Sequence, residues 1–129
     1  SEDFAKKLGP NIIISAGSLI ESQFHIEDKD KLERKAAIDF GYHRRYEYDI
    51  TIKIPDGYFV DGVDKLNKSV VNDFITFTSN AQLVGNEIKI KTLKEYKVIY
   101  APITAWNDIV AGIDEAYKFS QEKLVLKKR

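Results

Sequence analysis

The sequence predicts a mainly β domain: an antiparallel β-sandwich of immunoglobulin-like architecture, with one C-terminal amphipathic helix followed by a final strand. Three observations predict it. Apolar and polar side chains alternate with period two over several short runs. Turn-forming Pro, Asp, Gly and Asn residues separate those runs at hairpin distances. A single late segment, Thr104 to Gln121, changes to a helical period. A helix stripe must be covered by a sheet face or another helix, so many short strands with one helix argue for layered sheets.

The strongest strand signal is Tyr46, Tyr48, Ile50, Ile52 and Ile54 set against Glu47, Asp49, Thr51 and Lys53. Pro55-Asp56-Gly57 ends it, because Pro withdraws an amide donor while Asp and Gly suit a turn. A second strand is expected from Tyr58 to Val63. Four more follow: Asp73 to Thr78, Ala81 to Val84, Glu87 to Lys91, and Tyr96 to Tyr100. Gly85-Asn86 is a two-residue loop that favours an antiparallel hairpin, since Gly reaches positive φ without a Cβ clash.

The first third is less regular. Asn11 to Ile20 and Ser22 to Ile26 are candidate strands, Glu27 to Lys31 a charged exposed loop, and Lys35 to Phe40 a short apolar segment. Ser1 to Lys7 reads as a frayed helical turn or linker. In the helix, Trp106, Ile109, Val110, Ile113, Ala116 and Tyr117 make one apolar stripe, with Thr104 as expected N-cap. Gly112 inside it costs about 1 kcal/mol relative to Ala and points to close packing. Lys123 to Lys127 forms a last strand with either Leu124 and Leu126 or Val125 inward.

Length and composition bound the rest. At 129 residues the chain has the size of one domain, 1–129, with 1–10 as a candidate linker. Hydrophobic residues at 43% disfavour a disordered chain, and the absence of Met even at position 1 suggests a piece excised from a longer protein. Twenty Lys and Arg balance twenty Asp and Glu, which removes the electrostatic basis for nucleic-acid binding. No apolar run approaches the roughly 20 residues of a membrane span.

Chemistry-bearing residues are sparse. With no Cys, disulfides, thiolate metal sites and a cysteine nucleophile all fall away. The only imidazoles are His25 and His43. Ser15, Ser18 and Ser22 lie near His25, but none occupies a G-x-S-x-G elbow. Asp28-Lys29-Asp30 lacks the Gly and bidentate Glu of a calcium loop. Asp114 and Glu115 are neighbours on a helix and point apart. No glycine-rich phosphate loop occurs, so neither cofactor, metal nor catalytic residue is expected.

His43-Arg44-Arg45-Tyr46 mixes cations with aromatics, yet zero net charge argues against a nucleobase platform. The basic end Lys123, Lys127, Lys128 and Arg129 reads as a solvated run. Tyr42, Tyr46, Tyr48, Tyr58 and Trp106 could stack on sugars, but Tyr46 and Tyr48 share their period with Ile50 and Ile52, which favours a core role. Tyr42, Tyr58 and Trp106 are the candidates for ligand or partner contact.

The run from Leu32 to Tyr42, with its E-R-K and D-F-G-Y elements, is followed by I-P-D-G-Y at Ile54 to Tyr58. Gly85 to Ile90, the helix after Tyr100-Ala101-Pro102, and Lys123 to Lys128 continue the same order. Together they resemble the C-terminal accessory domain, a domain of unknown function, of bacterial transglutaminase-like, papain-fold envelope proteins. The likeness covers residues 24–128. The chain departs from the family pattern at Gly62 to Asn67, where an L-P-K element would stand, and in an upstream N-P-F element.

The resemblance implies an upstream β-rich domain and a papain-like core that supplies Cys, His and Asp, in a periplasmic or envelope setting. The expectation is therefore a noncatalytic module, not an enzyme, whose partner is a neighbouring domain of the same polypeptide. The alternative is a carbohydrate- or peptide-binding β-sandwich module using an aromatic face or strand edge.

Overall fold

The structure, a computed structural model, describes residues 5–21, 23 and 44–129, together with the backbone of 38–39. Along these residues the chain runs β1 (Ala5–Leu8), β2 (Asn11–Ser15), β3 (Ile38–Asp39), β4 (Arg44–Lys53), β5 (Tyr58–Val60), β6 (Lys68–Val71), β7 (Ile75–Val84), β8 (Glu87–Tyr96), β9 (Tyr100–Ala101), α1 (Trp106–Gln121) and β10 (Lys123–Lys128). One four-stranded sheet has the order β1-β2-β10-β5 and another the order β4-β8-β7-β6. A short β3-β9 pair stands apart, and every pairing is antiparallel.

The larger sheet is built from the hairpin outward. Gly85 takes φ +61°, and Val84 pairs with Glu87 across the two-residue loop. That register carries through ten residues of each strand, placing Ile88 and Ile90 opposite Leu83 and Ala81 on one side and opposite Ile52 and Ile50 of β4 on the other. Ile88 and Ile90 are fully buried while Lys89 and Lys91 are exposed. A slip of one residue would turn the apolar set to water, so burial and turn specify the same register.

The inner face of this sheet is covered twice. Ile14 of β2, Val60 of β5, and Leu124 and Leu126 of β10 pack with Ile52, Phe77, Ile88 and Ile90, so one half is a sheet-on-sheet core. The other half lies under the helix, where Ile109 and Ile113 join Ile75, Tyr96, Ala101 and Ala105. Phe119 of α1 joins the sheet-on-sheet half, edge-on to Phe77 at 5.8 Å between ring centroids. The fold is thus the expected sandwich, mainly β, with a late helix and a closing strand; in that strand Leu124 and Leu126 point inward.

Several boundaries differ from the sequence expectation. Ser79-Asn80 does not break the chain: Asp73 to Thr78 and Ala81 to Val84 belong to one strand, β7, because β6 and β8 flank it on both sides. The Ser79 hydroxyl donates to the Leu66 carbonyl, and the Asn67 side chain accepts from the Ala81 amide at 2.6 Å, so the polar interruption is satisfied. Likewise β8 runs unbroken to Tyr96, and of Tyr96 to Tyr100 only the last residue enters a new strand, β9. The strand expected to Val63 stops at Val60, since Gly62 at φ +76° opens a 3-10 turn, Val63–Leu66.

Ala5–Leu8 is a strand, not a helical turn or linker, and the segment expected to run extended from Asn11 to Ile20 ends at Ser15 in a 3-10 turn, Ala16–Ser18. The turn is held from outside: Ala16 donates its amide to the Glu122 carbonyl at 3.0 Å, just beyond α1. Thr104 is not the N-cap. It lies in a 3-10 turn, Ile103–Ala105, that begins after Pro102 and runs straight into α1, whose capping residue Ala105 makes no side-chain bond. Apart from Gln23, the expected strand Ser22 to Ile26 lies outside the described residues, as do the loop Glu27 to Lys31 and most of Lys35 to Phe40.

Gly112 is explained by proximity. A Cβ there would fall 2.8 Å from Ile75 Cδ1 and closer still to its Cγ2, so α1 sits directly on β7. At Gly17 a Cβ would meet the Ser120 carbonyl oxygen at 2.5 Å, which is backbone and cannot step aside. Gly112→Ala should destabilise the fold by about 1–3 kcal/mol despite a helix-propensity gain of about 1 kcal/mol. Urea unfolding checks this. Combined with Ile75→Ala, the two losses should sum to less than their separate values, because the second change removes the atoms the new methyl meets.

Candidate functional site

The most unusual chemistry sits on the inner face of the larger sheet. Counted from the hairpin, its third inward cross-strand row is polar, Tyr48, Thr92, Ser79 and Lys68, and the next places Lys94 between Tyr46 and Phe77. Thr92 and Ser79 are each 6% exposed and Lys94 only 4%. Lys68 Nζ reaches the Glu122 carboxylate at 2.8 Å, tying β6 to the end of α1. Lys94 Nζ donates to Gln23 Oε1 at 2.7 Å and lies 5.3 Å from the centroid of the Tyr96 ring. Gln23 in turn donates to the Glu21 backbone carbonyl at 2.7 Å. The segment beyond the first 3-10 turn is therefore fastened to the sheet by a buried cation.

Electrostatics follow from that burial. Desolvation holds the Lys94 ammonium below its usual range, and the Glu21 charge pulls it partly back. A hydrogen bond to Glu21, followed by burial, raises the Tyr48 phenol. Burial first, then neighbouring Tyr46, pushes Tyr96 up to about 12. Both phenols thus stay protonated at neutral pH.

Among the described residues, two concavities that open to solvent stand out. The larger, about 650 Å³, lies on the outer face of the same sheet, where Leu93 and Thr78 are half-buried and Glu47, Asp49, Asn80 and Lys91 stand exposed around them. The smaller, about 460 Å³, lies at the hairpin end of the sandwich between Tyr58, Phe59, Leu83 and Arg129. There the Arg129 guanidinium is 5.5 Å from the Phe59 ring centroid, and its amide donates to Gly57 O at 2.8 Å.

The sequence candidates do not converge among the described residues. Tyr58 starts β5, half-buried against the sheet-on-sheet core, and borders the smaller concavity. Trp106 begins α1 and packs half-buried against the helix-covered core. Tyr42, His25, His43, Ser22 and Asp28-Lys29-Asp30 lie outside the described residues. Ser15 closes β2 and Ser18 ends the following turn. Asp114 pairs with Lys118 at 3.6 Å along the helix. Among the described residues no three His, Cys, Asp or Glu side chains cluster as a metal site, and no helix is long and apolar enough to cross a membrane.

Sequence reasoning missed Lys94 because the strand was expected to stop at Lys91. Its signal was parity: Ile88, Ile90, Thr92, Lys94 and Tyr96 occupy alternate positions, which puts a lysine on the inward set.

A family profile for a domain of unknown function with solved structure, DUF3858, matches residues 12–126. The chain belongs to the DUF3858 family. The match runs from β2 to β10 and so takes in the sandwich apart from β1. No protein of curated function matches the sequence. Among solved structures, the DUF3858 fold here is similar to part of a crystal structure described as a "putative protease" from Parabacteroides distasonis. The TM-score is 0.68 at 16% identity, over 97% of this chain and 24% of that one. The chain spans about a quarter of that protein's length.

Lys94 makes a signed prediction for this DUF3858 domain. Its folded pKa lies below the ordinary lysine value of 10.5, so the folded state holds the proton less tightly than the unfolded chain. Below the folded pKa the burial penalty is fully present, and it fades as pH rises toward 10.5. Lys94→Met should be at least as stable as the wild type at pH 7, with an advantage that shrinks by pH 10.5. Urea midpoints at the two pH values measure it, and an unchanged gap contradicts it. Gln23→Leu removes an acceptor from the buried cation and should cost about 1–3 kcal/mol.

Proposed function

We propose that this domain is a noncatalytic accessory module that packs against, and positions, a transglutaminase-like or cysteine-protease-like catalytic domain of the same polypeptide. The setting is the bacterial periplasm or cell envelope. The observation that carries this reading is one of proportion: the sandwich accounts for nearly all of this chain but a quarter of a protein described as a "putative protease". A fold that recurs as a minor part of a larger chain suits a supporting role beside the remainder.

The residue chemistry supports the same reading. A thiol protease or transglutaminase needs a thiolate, and a chain without Cys cannot supply one. The motif order from the E-R-K element to the terminal Lys123 to Lys128 adds the resemblance to accessory domains of papain-fold envelope proteins. The buried amine and phenols fit the scaffold, since Lys94 and Tyr96 are almost wholly withdrawn from solvent.

The isolated chain should release no product from amidase and peptidase substrates and should form no isopeptide crosslinks. Reproducible turnover by homogeneous protein contradicts the noncatalytic reading. The reading frame that encodes this domain should also encode a Cys, His and Asp core, and a frame without one removes the partner that the proposal names.

A further inference from the structure

The outer face of the larger sheet differs from an ordinary solvated face in having a floor and a rim. The cross-strand row Glu47, Leu93, Thr78 and Ser69 lines one side of the 650 Å³ concavity, and the outward row Asp49, Lys91 and Asn80 lines the other. Leu93 and Thr78 are half-buried there, although both belong to the face turned away from the core. Across from them the exposed Asp49, Lys91 and Asn80 present acceptors and donors in alternation, and exposed Glu47 ends the Leu93 row. The volume falls within the range of about 300–1,000 Å³ common for small-ligand sites.

Charge on this surface cancels locally. Asp49 faces Lys91 directly in register, and Arg45 bonds Glu47 while reaching Glu95 at 3.5 Å. A phosphate, a polyanion or a strongly cationic peptide finds no excess of opposite sign. The concavity also lies across the middle of the sheet, where strands β4, β8, β7 and β6 are already hydrogen-bonded to one another. An extended peptide added along a strand edge gains nothing from this floor. Hydroxyl groups, by contrast, both donate and accept, and a pyranose ring carries a C–H face that suits Leu93 and the Thr78 methyl.

We propose that this concavity is a binding site for an uncharged oligosaccharide, with Leu93 and Thr78 as its floor and Asp49, Asn80 and Lys91 hydrogen-bonding the sugar hydroxyls. The site does not use the aromatic side chains singled out in the sequence. It is independent of the accessory role proposed above, whose test is turnover by the isolated chain.

The probes are neutral tetrasaccharides of glucose, of mannose and of N-acetylglucosamine, titrated to about 10 mM into the isotope-labelled chain with amide shifts recorded by NMR. At least one should produce saturable shifts centred on residues 47–49, 78–80 and 91–93. Asn80→Ala and Asp49→Asn should each weaken that binding at least about fivefold, the loss of roughly one hydrogen bond. Both positions are exposed on the strand surface, so circular dichroism should be unchanged. Three outcomes overturn the proposal: no saturable shift with any of the three sugars, shifts centred instead on Tyr58 or Trp106, or variants that bind as tightly as the wild type. Tighter binding of an extended neutral peptide than of every sugar overturns it as well.

Discussion

The register of the β7-β8 hairpin is the constraint on which the rest of the fold depends. A glycine at positive φ and an asparagine close a two-residue loop, and every cross-strand row of the larger sheet follows from that closure. Because the side-chain period is two, the same register that sinks Ile88 and Ile90 also sinks Thr92, Lys94 and Tyr96. The apolar core and the buried polar row are thus two consequences of one alignment. Neither can shift without the other.

The helix depends on that alignment too. Ile75 is the inward residue at the far end of β7, and the helix can approach it only where it lacks a side chain, at Gly112. At the other end of the helix, Gly17 makes room for the Ser120 carbonyl, and Ala16 bonds to Glu122. The smaller sheet enters through the same region, since Lys123 of β10 pairs with Ser15 of β2. Two glycines, one on each partner, therefore set how the helix is seated between the sheets. Lys68 and Glu122 add a half-buried ion pair at that junction.

The inner and outer faces of the larger sheet do different things with their polar groups. Inside, Lys94 donates to Gln23 and Gln23 to Glu21; a hydrogen bond to Glu21 raises the Tyr48 phenol and burial lowers the Lys94 amine. Outside, Asp49, Lys91, Arg45 and Glu95 answer each other across the strands but remain in water. A fully enclosed polar set stiffens the scaffold, whereas a solvent-facing one is free to exchange its water for ligand hydroxyls. That contrast is why the scaffold and the proposed binding surface lie on opposite faces of one sheet.

Local pattern sufficed wherever one face is wet. Alternation marked β4 and the first half of β8, Gly85-Asn86 marked the hairpin, and the three-four spacing after Trp106 marked the helix. The expected sandwich with a late helix and closing strand follows from those signals. The lack of Cys by itself excludes thiol chemistry, whatever the fold. Pattern failed where satisfaction came from distant residues. Ser79-Asn80 read as a break because the sequence does not show that Leu66 and Asn67 supply partners to β7. Thr104 read as a cap because nothing local announced the 3-10 turn after Pro102. The inward choice in β10 required Val60 and Ile12 on either side of Leu126. The enclosure of Lys94 and the Leu93-Thr78 floor came from tertiary structure, because burial of one strand position depends on which strands lie beside it and what covers the face. Composition and periodicity encode which side chains seek the interior; only the assembled sheets determine which polar groups are carried in with them.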